Sequence, residues 1–139
     1  MKILDLGCGN MWLSNYLRVN GYNVSGFSLK KPADIVGDVK TYKFKNNYYD
    51  AVLAIEMVEH VDCFKEIFTM LKPDGLLIIT TPVPHLDWFC LLMERFGLFQ
   101  DRGDTPHKYL MYLNKIPFFS KIWVKTYFSV QFGVFRKPK

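Results

Sequence analysis

The stretch Ile3-Leu4-Asp5-Leu6-Gly7-Cys8-Gly9-Asn10 constrains the fold of this chain more than any other. An apolar run that breaks into Asp-x-Gly-x-Gly predicts a buried strand ending in a turn from which side chains are excluded. Glycine permits positive φ there and lets another molecule lie directly on the backbone. Trp12, Leu13, Tyr16 and Leu17 then recur at helical spacing and Gly21 stops the pattern, predicting a short helix over 12–20. Strand, glycine turn and helix N-terminus in succession hold nucleotide-like ligands at the carboxyl edge of a parallel sheet.

A dinucleotide fingerprint requires Gly-x-Gly-x-x-Gly, its third glycine letting the helix pack closely on the strand. Counted from Gly7, that position is Trp12, which argues against a pyrophosphate ligand and a nicotinamide enzyme. Asp5, two residues before the first glycine, suits a ligand carrying a cationic amine or sulfonium. Further along, residues 50–54 form a short apolar run, as expected of a strand covered on both faces. Phe64, Ile67, Phe68 and Leu71 make a helical stripe, Lys72-Pro73-Asp74-Gly75 reads as a turn, and 76–79 as a second buried strand.

Four segments in order, Leu4-Asp5-Leu6-Gly7-Cys8-Gly9, Gly37-Asp38-Val39, the run from Tyr49 through Glu56 to His60 and Val61, and the run from Met70 to Pro82, resemble the motifs of the class I S-adenosylmethionine-dependent methyltransferases. The resemblance covers the first 82 residues well and the rest loosely. It implies an α/β, Rossmann-like doubly wound sheet, mostly parallel with a C-terminal antiparallel strand. One domain over 1–139 is expected, with 83–121 as its variable substrate or lid region. The implied activity is methyl transfer from S-adenosylmethionine to a small, apolar or lipid-like acceptor through oxygen, nitrogen or carbon. The implied cofactor contacts are Asp5 at the methionine amine, Gly7, Cys8 and Gly9 along the methionine and ribose, and Ser28 at the ribose. Asp38 and Val39 would take the adenine, and Ile55 and Glu56 the inner end of the pocket. On the bare residues, Asp5 and Asp38 are equally readable as turn formers.

The chain departs from that pattern at several places. Met11 stands where the family usually has another glycine. Ser28 ends the second strand, 23–27, where an Asp or Glu normally accepts from both ribose hydroxyls; a hydroxyl there forgoes on the order of 1–2 kcal/mol of binding. Residues 30–34 read as a loop in place of a helix. The chain opens directly into its first core strand, so no leader and no lid helix are expected. These departures keep a second reading open, a non-catalytic or heteromeric cofactor-binding subunit with a degenerate site.

Methyl transfer from a sulfonium is a direct displacement, so alignment supplies much of the catalysis and a base is needed only for a protonated acceptor. His85, just past the fifth strand in Thr81-Pro82-Val83-Pro84-His85, and His60 are the candidate catalytic residues. His60 closes Glu56-x-x-Glu59-His60, a spacing that resembles the metal-dependent quinone-biosynthesis O-methyltransferases and the methyltransferases of small-RNA 3′ ends. Glu56, Glu59 and His60 would be the ligands of a magnesium-type ion, but the expectation is a structural His60 without metal. His107, in a turn-rich loop that folding back would bring over the site, is expected instead to be solvated.

Residues 86–100 predict a helix apolar on most sides, packed on the C-terminal strands or serving as an acceptor pocket, a subunit contact or a lipid-docking face. Residues 122–130 and 131–136 predict an antiparallel edge hairpin. Residues 100–139 carry eight Lys/Arg against two Asp, and the whole chain is +5. The basic residues are scattered, so a solvated edge is expected ahead of nucleic-acid binding. No run is apolar enough for a membrane span. Cys8, Cys63 and Cys90 give no disulfide or zinc spacing, which with the absent leader predicts a cytoplasmic protein.

Overall fold

The structure, a computed structural model, describes residues 1–98 and 107–139. Seven strands form one sheet: β1 (Lys2–Leu6), β2 (Asn23–Ser28), β3 (Ile35–Val36), β4 (Tyr49–Ile55), β5 (Leu71–Pro82), β6 (Ser120–Tyr127) and β7 (Val130–Arg136). Helices α1 (Trp12–Val19), α2 (Phe64–Met70) and α3 (Asp87–Arg95) accompany them. The sheet order is β3-β2-β1-β4-β5-β7-β6. The pairs from β3 to β5 are parallel, and β7 runs antiparallel between β5 and β6. The doubly wound α/β expectation, mostly parallel with an antiparallel end, therefore holds. The order reverses at β1, so the carboxyl ends of β1 and β4 border the crevice where such sheets bind ligands.

Ile3, Leu4, Asp5 and Leu6 are all buried because β1 is flanked on both edges and covered on both faces. Alternation then sorts the core. Ile3, Val24, Ala51 and Leu53 face α1, which buries Leu13 and Leu17 against them; Leu4, Leu6, Val52, Ala54, Leu77 and Ile79 face α2 with Phe64 and Ile67. Asn20 caps α1 and Gly21 leaves it at φ 84, the left-handed exit glycine makes without strain.

The loop over 29–34 replaces a helix, as expected, and Asp34 anchors it. Its carboxylate accepts from the Gly26 amide at 2.6 Å and pairs with Arg18, which also donates to the Val24 carbonyl. Boundaries differ from expectation in three places. Leu71 belongs to β5, where it pairs with Tyr49, and Lys72-Pro73-Asp74-Gly75 is a bulge inside that strand. Asp74 turns at φ 62, and a Cβ on Gly75 would sit 2.8 Å from the Lys72 carbonyl, so the chain kinks there and recovers register at Leu76. The hairpin turns at Phe128 and Ser129, before Val130, with Phe128 at φ 50; it closes the sheet as the expected antiparallel edge hairpin, with β6 outermost.

The third difference is α3, which ends at Arg95 with Gly97 at φ 69; residues 99–106, including the end of the expected helix and Arg102-Gly103-Asp104, lie outside the described residues. Packing on the C-terminal strands is limited to its inner side, where Cys90 is buried and Phe89 meets Phe128 edge-on. Among the described residues, no helix is long and apolar enough to cross a membrane.

Candidate active site

The first two amides of the glycine turn point back into the sheet. Gly7 and Cys8 both give their N–H groups to the Phe27 carbonyl, at 2.8 and 3.0 Å, so those amides are not available to a phosphate. Gly7 sits at φ 83 and Gly9 at φ 51. A Cβ on Gly7 would meet Met57 Cγ at 2.7 Å, whereas nothing lies within 4 Å of one on Gly9. The first glycine is thus demanded by packing and the second borders open space. Met11 holds the position of the missing glycine at φ 64, a left-handed conformation unusual for a side-chain-bearing residue, and buries its side chain beside Gly26.

A cleft of about 360 Å³ opens beside this turn, within the range of roughly 300–1,000 Å³ typical of small-molecule sites. Phe27, Leu29, Val39, Met57 and Val61 give it apolar walls, and Gly7, Ser28, Gly37, Asp38, Lys40, Glu56 and His60 supply polar groups and exposed backbone. Apolar walls beside a hydroxyl, two carboxylates and exposed backbone are the mixture a nucleoside-like ligand uses. Of the expected cofactor contacts, Gly7, Ser28, Asp38, Val39 and Glu56 line the cleft; Asp5, Cys8, Gly9 and Ile55 stand behind or beside it. Asp5 is buried and accepts from Ser14 Oγ at 2.6 Å; burial lifts its carboxyl above the ordinary range, against the pull of that hydroxyl. Asp38 also caps its own turn, accepting from the Lys40 amide at 2.8 Å, as the turn-former reading expects. Glu56 is held at φ 48 while its amide donates to Thr80, a strained residue at a cleft wall. A second cleft, of about 330 Å³ around Tyr42, Lys43 and Lys65, does not reach the glycine turn.

At the end of the cleft the chain gathers Glu59, His60 and His107, whose ligand-type atoms all lie within 4.8 Å of one another. Glu59 is fully buried, and neither carboxylate oxygen has a hydrogen-bond partner among the described residues; the Thr81 hydroxyl is likewise unpartnered. Burial, reinforced by the charge of Glu56, pushes the Glu59 carboxyl up to about 8. Such an orphaned acid at neutral pH holds a proton or faces a cation. His107 Nδ1 lies 2.7 Å from Asp87 Oδ1, and its ring meets His60 edge-on at 5.0 Å between centroids. A carboxylate fixing one nitrogen of a histidine is the usual support for a metal ligand. Two histidines and a buried carboxylate therefore fit a divalent cation.

The expectation of a solvated His107 is corrected. The amides of Lys108 and Tyr109 donate to the Glu59 carbonyl at 2.8 and 2.9 Å, which docks this segment on the site. Gln131 secures the adjoining stretch up to Leu113: its side chain accepts from the Leu113 amide and donates to the Pro82 and Met111 carbonyls. His85 is exposed, does not line the cleft, and pairs through Nδ1 with the Tyr112 hydroxyl at 2.8 Å. Sequence reasoning missed the His60–His107 pairing, since no spacing rule links residues so far apart; the turn-rich loop before His107 was the only sign.

The comparisons agree with the fold. Residues 4–79, more than half the chain, match the family model of the methyltransferase domain. Over 100 residues the chain is 29% identical to a ubiquinone biosynthesis O-methyltransferase of Rickettsia bellii, covering 58% of this chain and 42% of that protein. A cycloartenol-C-24-methyltransferase of Oryza sativa subsp. japonica is 33% identical over 96 residues, covering 52% and 28%. The chain thus spans about two-fifths or less of the length of these curated relatives. A Pyrococcus horikoshii protein of solved structure superposes with a TM-score of 0.75 at 20% identity, covering 99% of this chain and 83% of its own. A phosphoethanolamine N-methyltransferase of Haemonchus contortus, solved with S-adenosyl-L-methionine, also reaches 0.75, at 18% identity and coverage of 100% and 49%. At such identities the superpositions speak for the fold. Motifs, sheet order, cleft and family match converge: the chain belongs to the class I S-adenosylmethionine-dependent methyltransferases.

Proposed function

We propose that this chain methylates a hydroxyl oxygen of a small, apolar acceptor, with the cofactor in the cleft from Gly7 to Asp38 and the acceptor at the Glu59–His60–His107 end. The observation that carries this reading is the fully buried Glu59 carboxylate, with no hydrogen-bond partner among the described residues, set beside two histidines at the end of a cleft with apolar walls. The relatives support different parts of this reading: one is an O-methyltransferase of ubiquinone biosynthesis, which supports oxygen as the acceptor atom, and the other methylates carbon 24 of cycloartenol, which supports only the apolar character of the acceptor.

Bound in the cleft, S-adenosylmethionine would supply a methyl group activated by its positive sulfur, passed to the acceptor oxygen in a single displacement as the carbon–sulfur bond breaks. The cleft aligns the two reactants, and its apolar walls exclude water from the charge being neutralised. The hydroxyl proton must leave; with no cation bound, His60, on the cleft wall, is the base that takes it. Asp87 holds the His107 ring, and His107 backs His60 edge-on. Glu59, His60 and His107 are the residues that would hold a divalent cation, with Glu56 close by; bound there, a cation would acidify an acceptor hydroxyl.

The test is formation of S-adenosylhomocysteine with a catechol acceptor, with and without chelator, for wild type and His60→Ala and His107→Ala. Loss of turnover in both variants, with cofactor binding retained in His107→Ala, is expected. Cofactor binding without turnover on any hydroxyl acceptor refutes the reading and favours the non-catalytic subunit.

A further inference from the structure

Helix α3 turns its apolar side to water. Trp88, Leu91, Leu92 and Phe96 recur at helical spacing and are 61%, 50%, 39% and 68% exposed, whereas Cys90 on the other side is buried and Phe89 and Met93 half-buried. A surface helix ordinarily does the reverse. The tip of the β6–β7 hairpin continues this patch: Phe128, 70% exposed, packs edge-on against Phe89 at 5.0 Å, and Tyr127 beside it is also exposed.

The surroundings are basic. The β6–β7 hairpin carries Lys121, Lys125 and Arg136 and no Asp or Glu, while Lys137 beyond it is buried and bonded to Asn47, Phe68 and Leu71. Lys121 and Lys125 project from the exposed edge strand β6, on either side of the half-exposed Trp123, and the exposed Arg95 ends α3. From this juxtaposition we propose that the outer face of α3 and the tip of the β6–β7 hairpin dock on a membrane surface carrying anionic lipid.

Charge selects this occupant over a second copy of the chain. A two-fold contact through the patch would bring two all-basic hairpins of a +5 protein together, whereas anionic headgroups are complementary to them. Shape agrees. The patch is a projecting helix face and a hairpin tip rather than a groove, and Trp, Tyr and Lys are the side chains that settle between acyl chains and headgroups. Docking does not depend on the acceptor or on turnover.

The experiment is co-sedimentation of cofactor-free protein with vesicles of phosphatidylcholine alone and with about 30% phosphatidylserine, followed in parallel by tryptophan fluorescence. Salt should weaken an electrostatic contribution. Wild type is expected to bind the phosphatidylserine vesicles at least tenfold more tightly than Trp88→Ser/Phe96→Ser, and several-fold more tightly than Lys121→Gln/Lys125→Gln. Circular dichroism and S-adenosylhomocysteine binding on the same samples report folding and the cofactor site independently. No vesicle association by protein that binds S-adenosylhomocysteine overturns docking and leaves the functional reading intact. Association unchanged in both double variants also overturns it, as does a dimer in solution that Trp88→Ser/Phe96→Ser dissolves. Vesicle binding without S-adenosylhomocysteine binding upholds docking and counts against the cofactor site instead.

Discussion

Replacing Glu59 with Gln changes the pH dependence of stability in a calculable direction. The carboxyl titrates at about 8 in the fold against an ordinary 4.5, because it is buried and lies near Glu56. Between those limits the folded state binds a proton that the unfolded chain has released, so stability falls as pH rises. The loss begins near pH 4.5, is complete above about pH 8, and is absent at lower pH, where both states are protonated. At about 1.4 kcal/mol per pH unit the full loss is on the order of 5 kcal/mol, a large share of the stability of a small domain. Glutamine keeps the shape and cannot ionise, so the variant escapes this loss. Urea unfolding of both proteins across the interval, in chelator, measures it. The variant should match wild type near pH 4.5 and exceed it by several kcal/mol above pH 8. A difference that stays constant with pH would refute the account of Glu59 as an uncompensated buried acid.

Gly7→Ala should cost about 2 kcal/mol or more of stability in a thermal melt and weaken cofactor binding, since φ 83 is strained for alanine and its Cβ meets Met57 at 2.7 Å. Ser28→Asp should tighten S-adenosylmethionine binding roughly tenfold by calorimetry, by restoring a charged acceptor for the ribose; unchanged affinity would mean the ribose lies elsewhere. Gln131→Leu should destabilise by about 3 kcal/mol, because it strands the Leu113 amide and the Pro82 and Met111 carbonyls. Turnover should fall with it, measured at a temperature where the variant is folded, as the segment carrying His107 loosens. Lys137→Met should lower the urea midpoint, since its buried ammonium donates to Asn47 and to the Phe68 and Leu71 carbonyls at the end of α2.

The first four strands and the cleft were legible in the sequence because short-range signals write them. Gly7 and Gly9 mark a turn by their freedom at positive φ, and residues 50–54 mark a strand buried on both faces. The bulge at 72–75 reads as a plain turn in the sequence, since its rejoining of β5 depends on pairing of Leu71 with Tyr49 across the sheet. The His60–His107 contact was invisible for a related reason: it is made by backbone donation from Lys108 and Tyr109 to Glu59, which leaves no pattern in side-chain identity. Asp5 shows the opposite failure. Its position in the motif is plain, but its hydrogen bond to Ser14 depends on how α1 packs. The sequence marks α3 as apolar on most sides but leaves open whether the core, a partner or a lipid surface covers it, because that depends on its neighbours.

The central claim, that the cleft bounded by Gly7, Ser28 and Asp38 holds S-adenosylmethionine, is tested most directly by calorimetric titration with S-adenosylhomocysteine of wild type and Asp38→Ala. One site is expected, with a Kd on the order of micromolar that weakens about tenfold or more in the variant. Well-folded wild-type protein that takes up no S-adenosylhomocysteine, or a variant that binds it equally well, would contradict that claim.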